Sequence, residues 1–454
     1  MCFFVYIFIY CDMRNFFENL GGKHIHFVGI NGVGVNALAK FCKAQGAIVS
    51  GSDRKLGDFC KQLLESGCDI KEGENVQALK GADALVFTSA IKSDNEELAF
   101  AKTNGIPVFE RHEFLAEVAK TFDKVVGIAG SHGKTTVTSM VTHILACADK
   151  NFVAMIGGDA INYSNFVNNS ACGERIFVTE ACEYKRHMLT LRTDVTVLLN
   201  KDWDHPDSYP TRESVEEAFD EFLKKGKIRV FSSGANKVTV EREGETTLFE
   251  YAESKDCAKV YASDALVGHF GKNLQGEYNR QNALFAVAVA SALGVKCVDS
   301  VKAVNTFLGV KRRFEKVGEV NGIPVVFDFA HHPTEIKNVL DRASEYGKAF
   351  VVFQPHTYSR TRAYLDDFAT VFAETECVDA LILVPTYAAR EAYDSRYDSG
   401  SIMTKILSKN AQKHVYLAKD AMSSVEFAKI MSKDCGIVLF VGAGDIYELR
   451  HKFE

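Results

Sequence analysis

Lys134 closes a run of glycines and hydroxyls, Gly127-Ile-Ala-Gly130-Ser131-His132-Gly133-Lys134-Thr135-Thr136. Glycines let backbone N–H groups turn inward around phosphate oxygens, and a helix N-terminus behind them adds partial positive charge. A lysine at the end of such a loop neutralises the outer phosphates, and the hydroxyl after it, here Thr135, can ligate Mg2+. The implied chemistry is binding of ATP or GTP. The spacing departs from the common G-x-x-x-x-G-K-[ST] pattern, because position 128 is Ile and the glycine stands one place earlier.

A second loop, Gly29-Ile-Asn31-Gly32-Val33-Gly34, is followed about twenty residues on by Ser52-Asp53, the place of a ribose-binding acid in dinucleotide folds. Its order is G-x-x-G-x-G rather than G-x-G-x-x-G. On these residues NAD(P) and another nucleotide diphosphate are equally open, and a plain structural turn would carry the same glycines. Carboxylates gather further along, in Thr179-Glu180-Ala181-Cys182-Glu183 and in Asn200-Lys-Asp202-Trp-Asp204-His205-Pro-Asp207. Hard oxygen donors suit Mg2+, with imidazole a less usual ligand. Acids that merely cap helices and face solvent are the plainer reading.

Such groups need strands that end in loops. Short apolar runs open near residues 24, 124 and 323, and they alternate with amphipathic stretches at 135–148, 282–293 and 335–346. That alternation predicts an α/β fold of parallel βαβ units. Carboxylates at 180 and 202–207 then share one sheet edge with the phosphate loop. With 454 residues and ~150 per domain, about three domains are expected, with boundaries near 121 and 312.

Hydrophobic residues at 47% and charged ones at 25% describe a globular chain, and a net charge of −6 gives no reason to expect nucleic acid. Twelve cysteines without a C-x-x-C pair read as reduced thiols of a cytoplasmic protein. Residues 1–12 hold an apolar run too short to span a bilayer and without a secretory cleavage pattern. We expect translation to start at Met13, with a membrane-touching anchor as the alternative.

The ordered blocks HFVGINGVG, SGSD, FTSAI, GIAGSHGKTT, TEACEYKRHMLTL, NKDWDHPDSY, GEYNRQNAL, GVKRRFE, FDFAHHPTEI, FQPHTYSRTR and VGAGDIYEL run through most of the chain. Together they resemble the Mur ligase family, and within it the branch that adds L-alanine to UDP-N-acetylmuramate. The resemblance implies a Rossmann-like UDP-sugar domain at 13–121, a central P-loop ATPase with a mainly parallel sheet at 122–312, and a Rossmann-like amino-acid domain at 313–454. It also implies ATP as co-substrate and Mg2+ as cofactor; from charge and the lack of a spanning segment no membrane or nucleic-acid partner is expected, and monomer and homodimer are both left open.

Block by block, Gly127, Gly130, Ser131, His132, Gly133, Lys134, Thr135, Thr136, Asn279, Asn282, Arg313 and Asp328 match ATP-binding positions. Gly29, Asn31, Gly32, Val33, Gly34, Ser52, Asp53 and Ser89 match the UDP-sugar site, which resolves the first loop in favour of UDP. His356 and Arg360 match the amino-acid site. Thr135, Glu180 and His205 match the metal site, and Lys134, Glu180, His205 and Arg313 the catalytic set. The implied reaction converts the muramoyl carboxylate to an acyl phosphate, which the alanine amine attacks. His205 is a candidate to accept the ammonium proton.

Two departures bear on the amino-acid site. Phe329 stands where several relatives have tyrosine, and Thr357 where many have arginine, leaving Arg360 and Arg362 for a carboxylate. Residues 213–221 hold no lysine, which favours the alanine-adding branch over ligases that use a carbamylated lysine. The rivals are a same-fold recycling ligase that attaches a whole peptide, an NAD-dependent dehydrogenase, and a non-catalytic nucleotide switch. The dehydrogenase leaves Lys134-Thr135, Glu180 and Arg313 unexplained together.

Overall fold

The computed structural model describes residues 14–205, 208–254, 257–274, 276–389 and 391–454, so the extension at 1–12 lies outside the described residues. The chain forms two compact units. The first takes the chain up to Asp202 together with Arg212–Leu274 and Gln281–Leu308; the second takes Trp203–Thr211, Gln275–Arg280 and Gly309–Glu454.

The first unit contains two sheets. One has the order Asp69–Glu72, Ile48–Asp53, His24–Val28, Ala84–Phe87, Val108–Glu110, all parallel. The chain reverses direction of growth at His24–Val28, so the loop after that strand lies at a topological switch point, where open α/β sheets bind ligands. Gly29 has φ +80, and a Cβ there would come within 2.5 Å of Thr88. Only glycine fits.

The second sheet has ten strands. Lys124–Ala129, which feeds the phosphate loop, pairs in parallel with Ile176–Glu180 on one side and Val195–Leu198 on the other. All three strands are buried almost throughout. Their carboxyl ends therefore deliver residues 130, 180 and 199 to one edge. Beyond Ile228–Gly234 the sheet becomes an antiparallel meander through Ala265–Phe270, and at the other edge Phe152–Met155, parallel to Ile176–Glu180, pairs antiparallel with Phe166–Asn169, so the sheet is mixed rather than mainly parallel. Two of those hairpins turn on residue pairs with positive φ at both positions, Glu243-Gly244 and Ser263-Asp264. Such pairs match the right-handed twist of the flanking strands.

The second unit is built on a six-stranded sheet ordered Glu315–Val320, Ile323–Asp328, Ile437–Val441, Ala349–Phe353, Val378–Leu383, Val415–Leu417. All pairs are parallel except the first hairpin. Apolar layers cover both faces, one around Phe353, Phe368 and Leu439, the other around Phe327, Phe350 and Phe440.

A single cut at residue 312 does not describe these units, because residues 203–211 and 275–280 belong with the second. Trp203 explains the first of these. Its ring packs on the layer around Phe353, its Nε1 donates to Tyr209 O at 2.9 Å, and Tyr364 OH donates to its carbonyl at 2.8 Å. Among the described residues no helix is long and apolar enough to cross a membrane.

Candidate active site

In the first unit the phosphate loop leaves the sheet at Gly130 (φ +139) and enters the helix Lys134–Cys147 through Gly133, which has a left-handed φ of +86. A Cβ on Gly130 would lie 3.0 Å from Leu199 Cβ and 3.2 Å from Asn200 N, so a side chain there would crowd the neighbouring strand end as well as strain the backbone. Asn200 fixes the loop from that strand: its Oδ1 accepts from His132 N at 3.1 Å and its Nδ2 donates to His132 O at 3.0 Å. Ser131 Oγ donates to the carbonyl of Asp202, and His132 Nε2 lies 3.5 Å from the Asp202 carboxylate.

Lys134 Nζ donates to Gly130 O at 2.5 Å, to Ser131 O at 3.3 Å and to Glu183 at 2.8 Å. Burial alone would lower its pKa. Attraction to Glu183, with smaller help from Cys182 and Glu180, outweighs that, so its pKa lies above the usual lysine value and the charge is secure. Thr135 and Thr136 occupy the first helical turn.

Glu180 ends the adjacent strand, and its carboxylate accepts from Gly157 N at 2.5 Å. A Cβ on Gly157 would be 2.5 Å from both carboxylate oxygens, and one on Gly158 would be 3.5 Å from Thr135 Cγ2. Bare backbone at Gly157 and Gly158 thus lies against the Glu180 carboxylate and the Thr135 side chain, and carboxylate and hydroxyl oxygens are the donor types that suit a small hard cation. Asn282 lies on the helix Glu277–Ala292, buried, with its Nδ2 lacking a hydrogen-bond partner among the described residues.

Not every expected contact is there. Gly127 lies inside the strand, where a Cβ would meet Thr193 at 2.6 Å and Phe222 at 3.1 Å. It serves close helix–sheet packing rather than a phosphate. In the first sheet, Ser52 Oγ donates to buried Glu97 at 2.8 Å, so its side chain faces the core instead of a sugar. Its carbonyl accepts from Gly29 and Ile30 and so shapes the loop.

Asp53 Oδ2 accepts from Asn31 N at 2.9 Å, while Asn31 Oδ1 accepts from Gly57 N at 3.1 Å. Gly32 caps the helix Val33–Ala44, and Arg111 lies across its first turn, its Cδ 3.2 Å and its Nη1 3.3 Å from a Cβ built on Gly34. Ser89 is exposed in the turn after Ala84–Phe87.

The second unit gathers a different set. Arg360 Nη2 donates to Asp204 Oδ1 at 2.8 Å, both side chains under a tenth exposed. Arg360, expected to face an amino-acid carboxylate, is held by this pair because Asp204 is too buried to remain charged alone. Burial would raise the Asp204 pKa, but Arg360 and the nearby histidines hold it far below the usual carboxylate range. His205 follows in a left-handed conformation (φ +56), its ring 3.8 Å from Asp204. Arg362 is exposed.

His331 and His356 approach with ring centroids 5.7 Å apart. Burial, then Arg360, lowers them to about 3 and about 4, so both are neutral near pH 7. Among the described residues, buried His356 Nδ1 has no hydrogen-bond partner, and its ring stacks on Tyr387.

Arg313 Nη1 reaches Glu335 at 3.5 Å, and Glu335 also accepts from His331 N at 3.1 Å. Asp328, expected at a ribose, accepts from Phe314 N and Ala330 N, each at 2.7 Å. With both oxygens on backbone donors it anchors the Arg313 segment instead, and burial lifts it to about 6. Asn279 falls in this unit and Asn282 in the first.

Residue types alone left Glu183, Asn200, Gly157, Arg111 and Glu335 without roles. Glu183 and Asn200 do carry a signal, each being polar and just beyond a buried strand that flanks the loop.

Comparison with known proteins divides the chain into three stretches. The family model described as "Mur ligase family, catalytic domain" matches residues 24–123, "Mur ligase middle domain" 128–290, and "Mur ligase, glutamate ligase domain" 312–444. The chain is 35% identical over 455 residues to UDP-N-acetylmuramate–L-alanine ligase of Caldanaerobacter subterraneus subsp. tengcongensis, covering 95% of this chain and 97% of that one. It is 36% identical over 454 residues to the enzyme of that name from Clostridium acetobutylicum, with the same coverage.

Among solved structures, the UDP-N-acetylmuramate–alanine ligase of Thermotoga maritima superposes with a TM-score of 0.73 at 24% identity, over 95% of this chain and 98% of that one. A murein peptide ligase from Psychrobacter arcticus gives 0.62 at 21%, with equal coverage; both show the fold alone. With a phosphate loop beside a strand-end carboxylate and likeness to these enzymes over nearly its whole length, the chain belongs to the Mur ligase family.

Proposed function

We propose that this protein joins L-alanine to the carboxylate of UDP-N-acetylmuramate at the expense of ATP, giving ADP and phosphate, in cytoplasmic synthesis of peptidoglycan precursors. The observation that carries the reading is the phosphate loop set beside Glu180 at adjacent strand ends. The names of relatives at 35–36% identity support the choice of substrates.

Residues 13–121 take the UDP-sugar, with its pyrophosphate on the N-terminus of Val33–Ala44, where N–H groups and the helix dipole favour an anion. Residues 122–312 take ATP on the loop from Gly130 to Thr136, with Asn282 Nδ2 available to the base. Residues 313–454 take the amino acid, near His356. Thr135 and Glu180 would hold Mg2+, which supplies charge neutralisation at the phosphates.

A carboxylate is a poor electrophile. Its oxygen attacks the γ-phosphorus, ADP leaves, and the acyl phosphate formed is open to the alanine amine; attack at the acyl carbon then expels phosphate. Lys134 releases the loop carbonyls it now holds and moves to the phosphoryl oxygens. Arg313 adds a second positive charge, worth most in a water-poor site. His205 accepts the proton from the incoming ammonium.

The test is phosphate release from ATP with UDP-N-acetylmuramate and L-alanine, each omitted in turn, and a mass measurement of the product. The reading requires dependence on all three and a muramoyl-alanine mass. Turnover only with a peptide in place of alanine would move the assignment to a recycling ligase.

A further inference from the structure

Away from the phosphate loop, three side chains of the first unit converge with no part in the chemistry above. Glu110 ends the strand Val108–Glu110 and caps the helix Arg111–Ala119 in a capping box, where the Glu113 carboxylate accepts from Glu110 N at 2.7 Å. His112 lies in the first turn of that helix. His187 arrives from the segment Tyr184–Thr190, directed inward by successive left-handed residues, Lys185 (φ +50) and Arg186 (φ +60). Glu110 Oε1 is 3.5 Å from His112 Nδ1 and 3.5 Å from His187 Nε2, and the two rings stack at 3.8 Å, 5° from parallel.

These distances are too long for good N–H···O hydrogen bonds, which cluster near 2.9 Å. Among the described residues, buried His112 Nδ1 has no hydrogen-bond partner. Around a tetrahedral Zn2+ with bonds of about 2.0–2.1 Å, neighbouring ligand atoms stand about 3.4 Å apart. Both carboxylate–imidazole separations are close to that, and the three candidate ligand atoms lie within 4.8 Å of one another.

We propose that Glu110, His112 and His187 form a binding site for a borderline transition cation, Zn2+ above all, tying the helix after residue 110 to the segment after Glu180. Two imidazoles and one carboxylate select Zn2+ over Mg2+ or Ca2+, which prefer oxygen alone. Three protein ligands leave a fourth position for water, on the side of the cleft lined by Arg111, Glu180 and Cys182. Ring lone pairs lie in the ring planes, so binding tilts both imidazoles out of their parallel stack. Arg111 and Lys185 oppose a cation electrostatically; the Glu110 charge and the metal–nitrogen bonds offset them.

The test uses the full chain, stripped with a chelator and titrated with Zn2+ in excess Mg2+, so that the oxygen sites are filled. Bound zinc is counted by elemental mass spectrometry, and Co2+ substitution is followed by visible absorption. The wild type is expected to hold an equivalent of zinc that H187Q and E110Q bind at least ~100-fold more weakly, beyond the 10–100-fold cost of losing an outer contact. Strong four-coordinate Co2+ absorption should vanish with it. Circular dichroism checks folding, and H112Q replaces any variant that fails to fold. Equal zinc affinity in wild type and folded variants, or zinc lost only with Glu180→Gln, would overturn the site.

Discussion

In the first unit the phosphate loop draws its groups from residues 130–136, whereas in the second unit the cluster around Arg360 is assembled from residues 204–205, 328–335 and 356–360. The loop works mainly through its backbone. Its chemistry depends on glycines at fixed offsets and a lysine at the first helical position, and all of that is local. The Arg360 cluster works through side chains brought together by the sheet, and its electrostatics come from burial: neutral histidines, a strongly acidic Asp204 and a raised Asp328. A local anion site is therefore tuned by spacing. A distributed one is tuned by desolvation.

Substitutions can break that contrast at either end. The largest effect is expected for Lys134→Ala, a fall of roughly 10^3-fold in kcat for phosphate release, the scale of losing one preorganised charge donor. A rate within tenfold of wild type would remove the lysine from the chemistry.

Arg360→Ala comes next. It strands a buried carboxylate at Asp204 and should cost ~3–5 kcal/mol of unfolding free energy in urea titrations. If the arginine instead serves only the amino-acid carboxylate, KM for alanine will rise while stability stays put.

Gly127→Ala sharpens the border between loop and strand. Overpacking against Thr193 and Phe222 should cost ~1–3 kcal/mol, with KM for ATP unchanged in the folded protein. A KM effect without a stability loss would return Gly127 to the phosphates.

The smallest effect is a change of slope with pH. His356 titrates at about 4 when folded and near 6.5 when unfolded. Between these values the unfolded chain binds the extra proton, so this residue makes stability rise with pH from ~4 to ~6.5. Asp328, at about 6 folded and ~3.9 unfolded, acts the other way between those values but is present in both proteins compared. The stability difference between wild type and His356→Gln, followed by urea unfolding across that window, should grow with pH. A flat difference would mean that His356 is not held neutral.

The contrast also explains what could be read in advance. The βαβ pattern around residues 124–148 and the parallel core of each sheet follow from apolar runs and glycines, which act over a few residues. The antiparallel meander from 228 to 270 was legible in principle, since Lys237-Val-Thr-Val-Glu-Arg alternates and Glu243-Gly244 suits a tight hairpin. It was masked by the stronger βαβ signal on either side.

Asp204 and Glu335 could not be given partners beforehand. Nothing in the residues near Asp204 points to Arg360, 156 positions away, until Trp203 packs its segment on the sheet layer around Phe353. Ser52 and Asp328 misled for the related reason that a polar residue at a strand end can turn to the core or bind backbone donors instead of a ligand.

The account stands or falls on activation of the carboxylate by phosphoryl transfer. UDP-N-acetylmuramate labelled with oxygen-18 in its carboxylate should be turned over with ATP and L-alanine, and the released phosphate examined by mass spectrometry. An acyl phosphate carries a carboxylate oxygen into the phosphate, so the account predicts phosphate heavier by one label, with the other label kept in the new amide. Product formed with unlabelled phosphate would contradict it.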